Sequence, residues 1–433
     1  MLCTVSSCST NGCGSTTLAE EILIQVHHSS PLFWGGRDNQ RWVYDAARSA
    51  GLEVAVITDG VPHWLNELVP PARTEVCRLQ CDTEMRDAAA RLAEGNHLRG
   101  VVTYSEEFVV ATARLADEFG VPSISLRGAL SSSADKLRMK RCLHEASVPS
   151  PAFGWARSTA ELRQTAQRLG CPVVVKPRKG GGSVAVRKMD DPSDSERIFR
   201  AVSCQARADV DPIFRGFDGT FIVEQYVPGR LVSVDGLVTS GRATVLGMTD
   251  TLMSCEPMFY QRGCWTIDID EQCRRVAHAA VSALGFRDGV FHCEVRLNNG
   301  SPSVIEVAAR LPGELIVPMY KEARGIDLLD LHLKTMTGSS AALPSRSKFA
   351  ISGAYAAFPE QPGQLLEVQG VDAVRDHPCI ERVYVSDRFG TCVDMFNPYA
   401  VAQITTATDR EFRLVFAFVQ KNLRIHTSGG ARK

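Results

Sequence analysis

The sequence lacks any apolar run long enough to cross a membrane, and it lacks an excess of charge of one sign. Its longest apolar runs, such as residues 54–58, fall far short of the ~20 residues that a bilayer-spanning helix needs. Its 48 basic and 49 acidic residues nearly balance, so no broad field would attract nucleic acid or an anionic membrane. These absences predict a soluble protein that acts on small molecules and has no membrane or nucleic-acid partner.

The 14 cysteines show no paired spacing of the kind that binds structural zinc. Most stand singly in apolar stretches, as Cys171 and Cys293 do, where a free thiol packs as a small hydrophobic group. Free thiols predict a reducing compartment, which we take to be the cytoplasm. The first residues lack the basic and apolar regions of a secretory signal, so we expect residues 1–20 to form a disordered leader.

The chain of 433 residues exceeds the size at which a single core stops growing, so we expect two or three domains. Strand and helix patterns alternate first, which predicts a doubly wound βαβ domain over residues 21–127, with its last strand at 121–125. Mixed strands and helices then predict a second domain over residues 128–345 and a small α+β domain over residues 346–433. The predicted fold class is therefore α/β and α+β.

The most informative stretch is VFHCEVRLNNGSPSVIEVAAR, at residues 290–310. Two β-rich runs flank the turn sequence NNG, which predicts a β-hairpin. Side chains alternate along a strand. If Leu297 pairs with Ser303, Glu294 lies opposite Glu306 with their Cβ atoms about 5 Å apart. The predicted polar faces are His292, Glu294 and Arg296 in the first run, and Val304, Glu306, Ala308 and Arg310 in the second.

Two facing carboxylates at that spacing repel by about 3 kcal/mol at an effective dielectric near 20, so their pairing asks for a reason. Magnesium supplies one, because it binds carboxylates together with phosphate oxygens and water. Arg310 could then take up the charge of a transferring phosphoryl group. The alternative is a solvated hairpin face on which the carboxylates pair with Arg296 and Arg310. The hairpin alone leaves both interpretations open.

Segments upstream of the hairpin favour a bound nucleotide. The run VVVKPRKGGGSVAV carries Lys176 at the end of a predicted strand and a glycine loop at 180–182, where backbone N–H groups could approach phosphates. It is not a Walker A loop, and a glycine turn without function is the alternative. Lys136 is a second candidate cation. The strand FIVEQYV carries Glu224, which could accept a hydrogen bond from an adenine amino group.

Taken in order, these motifs resemble the ATP-grasp superfamily. The motifs are DK (Asp135 and Lys136), VVVKP with its glycine loop, VEQYVPG, HCE and IEVAAR. Within the superfamily the likeness is to carboxylate–amine ligases, namely the L-amino acid ligases, which make dipeptides, and the carnosine synthases. The resemblance covers most of the chain, and it implies that residues 128–345 form an ATP-grasp domain with a lid subdomain at 150–226.

The resemblance also implies roles for individual residues. Lys176 and Arg310 would be catalytic, and Glu294 and Glu306 would hold one or two magnesium ions, or manganese. Ala308 stands where many ATP-grasp enzymes have an asparagine that ligates the second magnesium, so the number of ions stays open. The residues that would bind ATP are Lys136, Lys176, Gly180, Gly181, Gly182, Ser183, Glu224, Tyr226, Val227 and, for the ribose, Asp235. The candidates for binding substrate are Glu256, Tyr260, Arg262, Gly313 and Glu314.

The reaction implied is ATP-dependent formation of an amide between a carboxylate, an amino acid by preference, and an amine. It would pass through an acyl phosphate and release ADP and phosphate. The partners would be these two small molecules, and a homodimer is compatible with this class of enzyme. Two alternatives remain: another ATP-grasp ligase or carboxylase acting on a nucleotide-pathway intermediate, and an ATP-binding protein without turnover.

Overall fold

The computed structural model describes residues 19–28, 36–254, 259–313, 315–339, 341–343, 350–395 and 397–429. Most of the predicted leader and two of the candidate substrate residues, Glu256 and Glu314, lie outside these ranges. Within them, no helix combines the length and the apolar character that a membrane span requires.

In the described part of the N-terminal domain, four parallel strands form a sheet in the order β3-β2-β1-β4. The strands are β1 (Glu21–Val26), β2 (Glu53–Thr58), β3 (Thr74–Val76) and β4 (His97–Val102). The helices are α1 (Gly36–Ser49), α2 (His63–Asn66), α3 (Asp82–Ala93) and α4 (Val109–Phe119). Strands β1 and β2 are buried at almost every position, because side chains pack against both faces of the sheet. This confirms the predicted doubly wound domain.

The strand predicted at residues 121–125 is wrong. The backbone there bonds to another segment, since Arg287 donates to the carbonyl of Ile124 and Asp288 to that of Ser123. The fourth described strand of the sheet is instead the short β3, whose residues TEV carry no apolar pattern that would identify it. Two helices follow, α5 (Leu126–Ser131) and α6 (Lys136–Glu145).

The segment predicted to be the lid folds as an antiparallel sheet with two helices packed on it. Its described strands lie in the order β5-β8-β6-β7. A core of apolar side chains from both layers, including Val173, Val175, Leu162 and Ile198, holds the helices to the sheet. The elements are β5 (Phe153–Ala156), α7 (Thr159–Leu169), β6 (Val173–Pro177), β7 (Arg187–Met189), α8 (Ser195–Gln205) and β8 (Phe221–Gln225).

The centre of the molecule is a large sheet, which in the described residues has eight strands in the order β13-β12-β9-β10-β11-β14-β18-β16. Its first five strands come from the predicted ATP-grasp region. That region contains β9 (Arg230–Thr239), β10 (Arg242–Met253), β11 (Gln261–Ile267), α9 (Glu271–Leu284), β12 (Gly289–Asn298), β13 (Ser301–Ala308), α10 (Ile316–Arg324) and α11 (Leu328–Met336).

The last quarter of the chain continues this sheet. Strand β14 pairs with β11 through Gly263 and Tyr355, and β18 pairs with β14 along seven residue pairs. A small sheet of β17, β15 and β19 lies beside it. The elements are β14 (Ile351–Ala357), β15 (Gly363–Gln369), α12 (Val371–Arg375), β16 (Ile380–Val385), β17 (Cys392–Val393), β18 (Ala400–Thr406), α13 (Asp409–Asn422) and β19 (Arg424–Thr427).

Candidate active site

The hairpin of β12 and β13 places the two acidic side chains opposite each other. Glu294 and Glu306 are a cross-strand pair, as predicted, although the assumed pairing of Leu297 with Ser303 is wrong because Leu297 pairs with Pro302. The side chain of Glu294 is 35% exposed and that of Glu306 19%, so both reach a surface that a ligand could cover. Burial raises the pKa of Glu306, and the charge of Glu294 adds to this effect.

A β-bulge explains why Glu294 pairs with Glu306 although Leu297 pairs with Pro302 and not with Ser303. Val295 pairs with Val304 and Glu294 with Glu306, so Ile305 is an extra residue in β13. The bulge turns Val304 toward the apolar cluster that also contains Val307 and Cys293. The prediction that Val304 shares the face of Glu306 is therefore wrong. Strict alternation fails here because one unpaired residue shifts every side chain that precedes it in the strand.

Lys136 connects the carboxylate pair to the glycine loop. Its Nζ lies 3.2 Å from Oε1 of Glu306 and donates to the carbonyl of Gly180 at 2.6 Å. Lys136 is the first residue of α6, and Asp135 caps that helix by accepting from the backbone N–H of Arg138. The predicted pair Asp135–Lys136 thus starts a helix and aims one cation at the site.

Two buried lysines share Glu224. The Nζ of Lys176 lies 3.0 Å and that of Lys140 3.3 Å from Oε1 of Glu224, and these contacts are ion pairs that lack hydrogen-bond geometry. Burial lowers the pKa of Lys140 to about 8 despite the charge of Glu224. For Lys176, the charges of Glu224 and Glu306 outweigh burial and raise the pKa. Both lysines are therefore cationic at neutral pH.

This arrangement changes the interpretation of Glu224. The sequence suggested that its carboxylate accepts from an adenine, but the structure makes it the counter-ion of two lysines with 3% of its surface exposed. The nearby aromatic residues are better placed to meet a flat ring. Tyr226 lies beside Phe259 with ring centroids 6.4 Å apart, and the Nζ of Lys188 lies 4.8 Å above the ring of Tyr226. Val227 follows at the same partly exposed edge.

The guanidinium of Arg310 is held by a residue that sequence analysis missed. Its Nε donates to Oε2 of Glu106 at 2.8 Å, and its Nη1 donates to the carbonyl of Leu311 at 2.9 Å. Ser133 donates its hydroxyl to the other oxygen of Glu106. Glu106 follows the carboxyl end of β4, and this end of a parallel sheet is where ligand-binding residues commonly lie. This position could have identified Glu106 as a candidate site residue from the sequence.

Asp235 lies inside the protein and not at a ribose site. Its side chain has no exposed surface, and it accepts hydrogen bonds from Ser233 and Tyr320 and contacts the ring of His292. Both carboxylate oxygens are thus used within the protein, which contradicts the predicted contact with a ribose. Burial alone would lower the pKa of His292, but the charge and hydrogen bond of Asp235, with a further contribution from Glu294, raise it to about 10.

The candidate substrate residues within the described ranges lie on loops and strand ends. Tyr260 stacks on Phe358 with ring centroids 4.8 Å apart. Arg262 donates from Nη2 to the hydroxyl of Tyr355 at 3.1 Å, and its buried Nε has no partner within the described structure. Gly313 lies before α10 in open space, where an added Cβ would meet nothing within 4 Å. Arg262 therefore keeps a donor that a substrate carboxylate could use.

The two carboxylates fit magnesium that is bound jointly with phosphate. Within the described residues there is no cluster of three or more acidic, histidine or cysteine side chains that could hold a metal alone. Magnesium commonly takes only one or two carboxylates and fills its other positions with phosphate oxygens and water. Glu294 and Glu306, with Lys136 and Lys176 nearby, match that donor set.

Two models of known protein families match this chain. The profile of the ATP-grasp domain matches residues 169–318, and that of the ATP-grasp N-terminal domain matches residues 44–123. The two matches together cover just over half of the 433 residues. The chain belongs to the ATP-grasp superfamily. The matched ATP-grasp range contains the glycine loop, Glu224, and the hairpin with both carboxylates.

The relatives of this ATP-grasp chain include named ligases. Carnosine synthase 1 of Homo sapiens is 26% identical over 330 residues, which cover 72% of this chain and 40% of that protein. The alanine–anticapsin ligase of Bacillus subtilis strain 168 is 23% identical over 282 residues, which cover 61% of this chain and 59% of that protein. The chain thus spans less than two thirds of the length of either relative.

Among solved structures, the L-amino acid ligase from Bacillus licheniformis superposes with a TM-score of 0.77 at 20% identity, covering 96% of this chain and 100% of that one. The likeness extends over the N-terminal domain, the ATP-grasp region and the last quarter of the chain. At this level of identity the superposition establishes the ATP-grasp fold, including the sheet that continues into the C-terminal strands.

Proposed function

We propose that this ATP-grasp protein is an ADP-forming ligase that joins a carboxylate, an amino acid in the first instance, to an amine. The observation that carries the proposal is the facing pair Glu294 and Glu306, with Lys136 3.2 Å from one of them. Such a group of charges suits a metal-bound polyphosphate better than a surface, because two carboxylates at this spacing repel each other. The names of the relatives supply the amide-forming reaction.

The phosphates of ATP are held, in this proposal, by the cations of the site and by backbone N–H groups of the loop that contains Gly180, Gly181, Gly182 and Ser183. Lys176 and Lys136 neutralise phosphate charge, and Tyr226 and Val227 line the place of the base. Glu294 and Glu306 would hold magnesium, which when bound draws electron density from the phosphate oxygens and lowers the cost of their charge. Glu224 keeps Lys176 in position by pairing with it.

The chemistry takes two displacement steps. A carboxylate oxygen of the first substrate attacks the γ-phosphorus, the bond to the β-γ bridging oxygen breaks, and ADP leaves with an acyl phosphate remaining. The amine then attacks the acyl carbon, phosphate leaves, and the amine gives up one proton. Arg310 stabilises the charge that develops on the phosphoryl group and on the oxygen of the tetrahedral intermediate. The hydrogen bond from its Nε to Glu106 fixes the plane of its guanidinium for this task.

Water must be kept from the acyl phosphate, and the glycine loop is the part of the chain suited to exclude it. The loop rests on aromatic and aliphatic side chains of the lid, since Gly180 lies against the ring of Phe214 and Gly181 against Ile213. Lys136 ties it to the main body through the carbonyl of Gly180. Contacts from two sides thereby hold the loop, which supports its proposed place over the phosphates.

The substrate pocket is proposed between the glycine loop and the loops that carry Tyr260, Arg262 and Gly313. Arg262 would bind the carboxylate of the substrate that supplies the amine, through the Nε that has no partner in the described structure. Glu256 and Glu314 stay candidates for an ammonium group. The enzyme is expected to work in the cytoplasm, in keeping with the ten described cysteines, none of which forms a disulfide within the described structure.

The test is phosphate release from magnesium ATP with pairs of amino acids, followed by mass spectrometry of the products. Release that requires two amino acids and yields a dipeptide supports the proposal. A parallel reaction with bicarbonate covers the carboxylase alternative, and activity there without dipeptide would overturn the proposal. Glu306→Gln should abolish release, whereas Glu367→Gln, at an exposed position of β15, should not. No release with any substrate would favour a protein that binds ATP without turnover.

A further inference from the structure

A row of buried polar side chains runs across the central sheet next to the carboxylate pair. Strand pairing places His292 of β12 beside Asp235 of β9, and Asp235 beside Gly247 of β10. The neighbouring row contains the proposed metal ligands and continues into two hydroxyls. Across the sheet the two rows are Ala308, His292, Asp235 and Gly247, and Glu306, Glu294, Ser233 and Thr249.

Asp235 is the centre of this network. Its Oδ1 lies 2.6 Å from Nδ1 of His292, and its Oδ2 accepts from the hydroxyls of Ser233 at 2.7 Å and Tyr320 at 2.6 Å. Ser233 in turn lies 2.6 Å from the hydroxyl of Thr249. Both oxygens of the carboxylate are therefore engaged within the protein, which restricts the rotation of the Asp235 side chain.

The sequence makes room for Tyr320 to reach this network. A Cβ on Gly247 would stand 2.1 Å from the ring of Tyr320, so only glycine at this position lets the ring lie over β10. Tyr320 comes from α10, the helix that follows the loop after Arg310. The hydroxyl of Tyr320 thus reaches the sheet from the helix layer, and the same side chain is part of the apolar core beneath it.

His292 joins the network to the proposed metal site. Its Nδ1 faces Asp235, which leaves Nε2 directed toward Glu294, with 3.8 Å between Nε2 and Oε1. His292 is buried. Its neighbour on β13 is Ala308, whose small side chain leaves room for the imidazole ring. A purely structural core would be served as well by apolar residues, since buried ion pairs often add no stability over them. Stability alone therefore does not explain this polar network, and we look for its role at the neighbouring site.

We propose that Asp235, His292 and Tyr320 are positioning residues that hold the carboxylate of Glu294 in the orientation that binds the metal. The inference rests on the proposed function, because it takes Glu294 as a magnesium ligand. Asp235 fixes the imidazole by a hydrogen bond, and Tyr320 prevents Asp235 from turning away. The imidazole attracts the carboxylate of Glu294 as an ion pair at 3.8 Å, a distance that metal binding to Glu294 can shorten to a hydrogen bond. Hydrogen-bond partners of metal ligands commonly change metal affinity 10- to 100-fold when they are removed.

The experiment is a titration of the full-length protein with Mn²⁺ in the presence of ADP, followed by electron paramagnetic resonance of the free ion. His292→Gln and Asp235→Asn should weaken Mn²⁺ binding about 10-fold or more, and Tyr320→Phe should weaken it to a smaller extent. ADP affinity measured in EDTA should stay unchanged for all three. Tyr399→Phe is the matched control, because it removes the hydroxyl of a buried tyrosine in the C-terminal region that contacts the backbone of Asp394.

The outcomes separate this inference from the proposed function. If Glu294→Gln weakens Mn²⁺ binding while His292→Gln and Tyr320→Phe bind it like the unmodified protein, the positioning role is wrong and the metal site stands. If Glu294→Gln itself binds Mn²⁺ normally, the positioning role and the proposed metal site are both wrong. Tyr320→Phe keeps the aromatic ring, so it tests the inference even where Asp235→Asn does not fold. Amide formation plays no part in the readout, so absence of ligase activity would overturn only the proposed function.

Discussion

The carboxylate of Glu106 accepts a hydrogen bond at 2.8 Å from Nε of Arg310, a residue 204 positions further along the chain. This contact links the N-terminal domain to the end of the hairpin that carries the proposed metal ligands. Glu106 also accepts from Ser133, at the start of the segment that leads to Lys136. A single carboxylate thus connects three parts of the chain at the point where the phosphoryl group would be transferred.

Glu106→Gln should lower kcat about 10-fold or more while leaving the KM for ATP nearly unchanged. The amide can still accept from Nε of Arg310, but it removes the negative charge that orients the guanidinium. Arg310→Lys should cost about 100-fold in kcat, because an ammonium lacks the planar fork that stabilises an oxyanion. Steady-state kinetics with circular dichroism as a check on folding would decide. An unchanged kcat for Arg310→Lys would remove Arg310 from the chemistry.

Lys140 and Lys176 share one counter-ion, yet they should respond differently to substitution. Lys176→Met should weaken ATP binding, because Lys176 is proposed to contact phosphate. Lys140→Met should mainly destabilise the fold, by about 3 kcal/mol, since Lys140 is fully buried, donates to the carbonyl of Val304 at 3.1 Å and pairs with Glu224. Urea unfolding and nucleotide titration on both variants test this. Equal effects of the two substitutions on ATP affinity would contradict the assignment.

The glycine loop offers a matched pair of substitutions. Gly180 has a φ of 127° and a Cβ there would stand 2.8 Å from the ring of Phe214, whereas Gly182 has a φ of 61° and open space around it. Gly180→Ala should therefore lift the loop from the lid and let water reach the acyl phosphate. Gly182→Ala, which has backbone strain from its positive φ but no clash, should have a smaller effect. The measurement is the ratio of phosphate to amide. It should rise above one for Gly180→Ala, and an identical ratio in both variants would refute the role of the loop as a water barrier.

His332 should make the fold sensitive to acid. Both of its ring nitrogens are buried without a hydrogen-bond partner in the described structure, and burial lowers its pKa to about 4. Because the unfolded chain binds this proton near pH 6.5, stability falls as the pH drops from 6.5 toward 4, and by about 2 kcal/mol at pH 5. Above pH 6.5 the imidazole is neutral in both states and the effect is absent.

The comparison is between urea unfolding at pH 7.5 and at pH 5. Between these two pH values, the free energy of unfolding of His332→Leu should fall by about 2 kcal/mol less than that of the unmodified protein. His278→Leu, at an exposed position of α9, should behave like the unmodified protein. A loss in His332→Leu as large as in the unmodified protein would show that another group accounts for the acid sensitivity.

The sequence predicted what depends on local pattern. The hairpin and the doubly wound N-terminal sheet follow from alternation and apolar runs, and the structure confirms them. The pairing of Glu294 with Glu306 is also confirmed, although it rested on an assumed pairing of Leu297 with Ser303 that the structure contradicts. The bulge at Ile305 could not be predicted, because a single unpaired residue has no compositional signature.

What required three-dimensional packing was missed or assigned wrongly. The contact of Glu106 with Arg310 joins residues 204 positions apart, so local spacing could not reveal this partner, although the position of Glu106 after β4 could have marked it as a candidate. The resemblance assigned Asp235 to the ribose because Leu231 occupies the position where the superfamily commonly has a carboxylate. The burial of Asp235 depends on Tyr320, which reaches it from a later helix, and on Gly247, which lets the ring approach.

The continuation of the central sheet into the last quarter of the chain limits how this protein could be re-engineered. Strand β11 shares its backbone hydrogen bonds with β14, and the ring of Trp265 packs against Phe412 and Phe416 of α13. In a chimera joined between residues 343 and 350, the new C-terminal region would have to recreate the pairing of β14 with β11 and the aromatic contacts of Trp265. The C-terminal region therefore cannot be exchanged as an independent module. Substitutions at single pocket residues are the more promising route to a new substrate range.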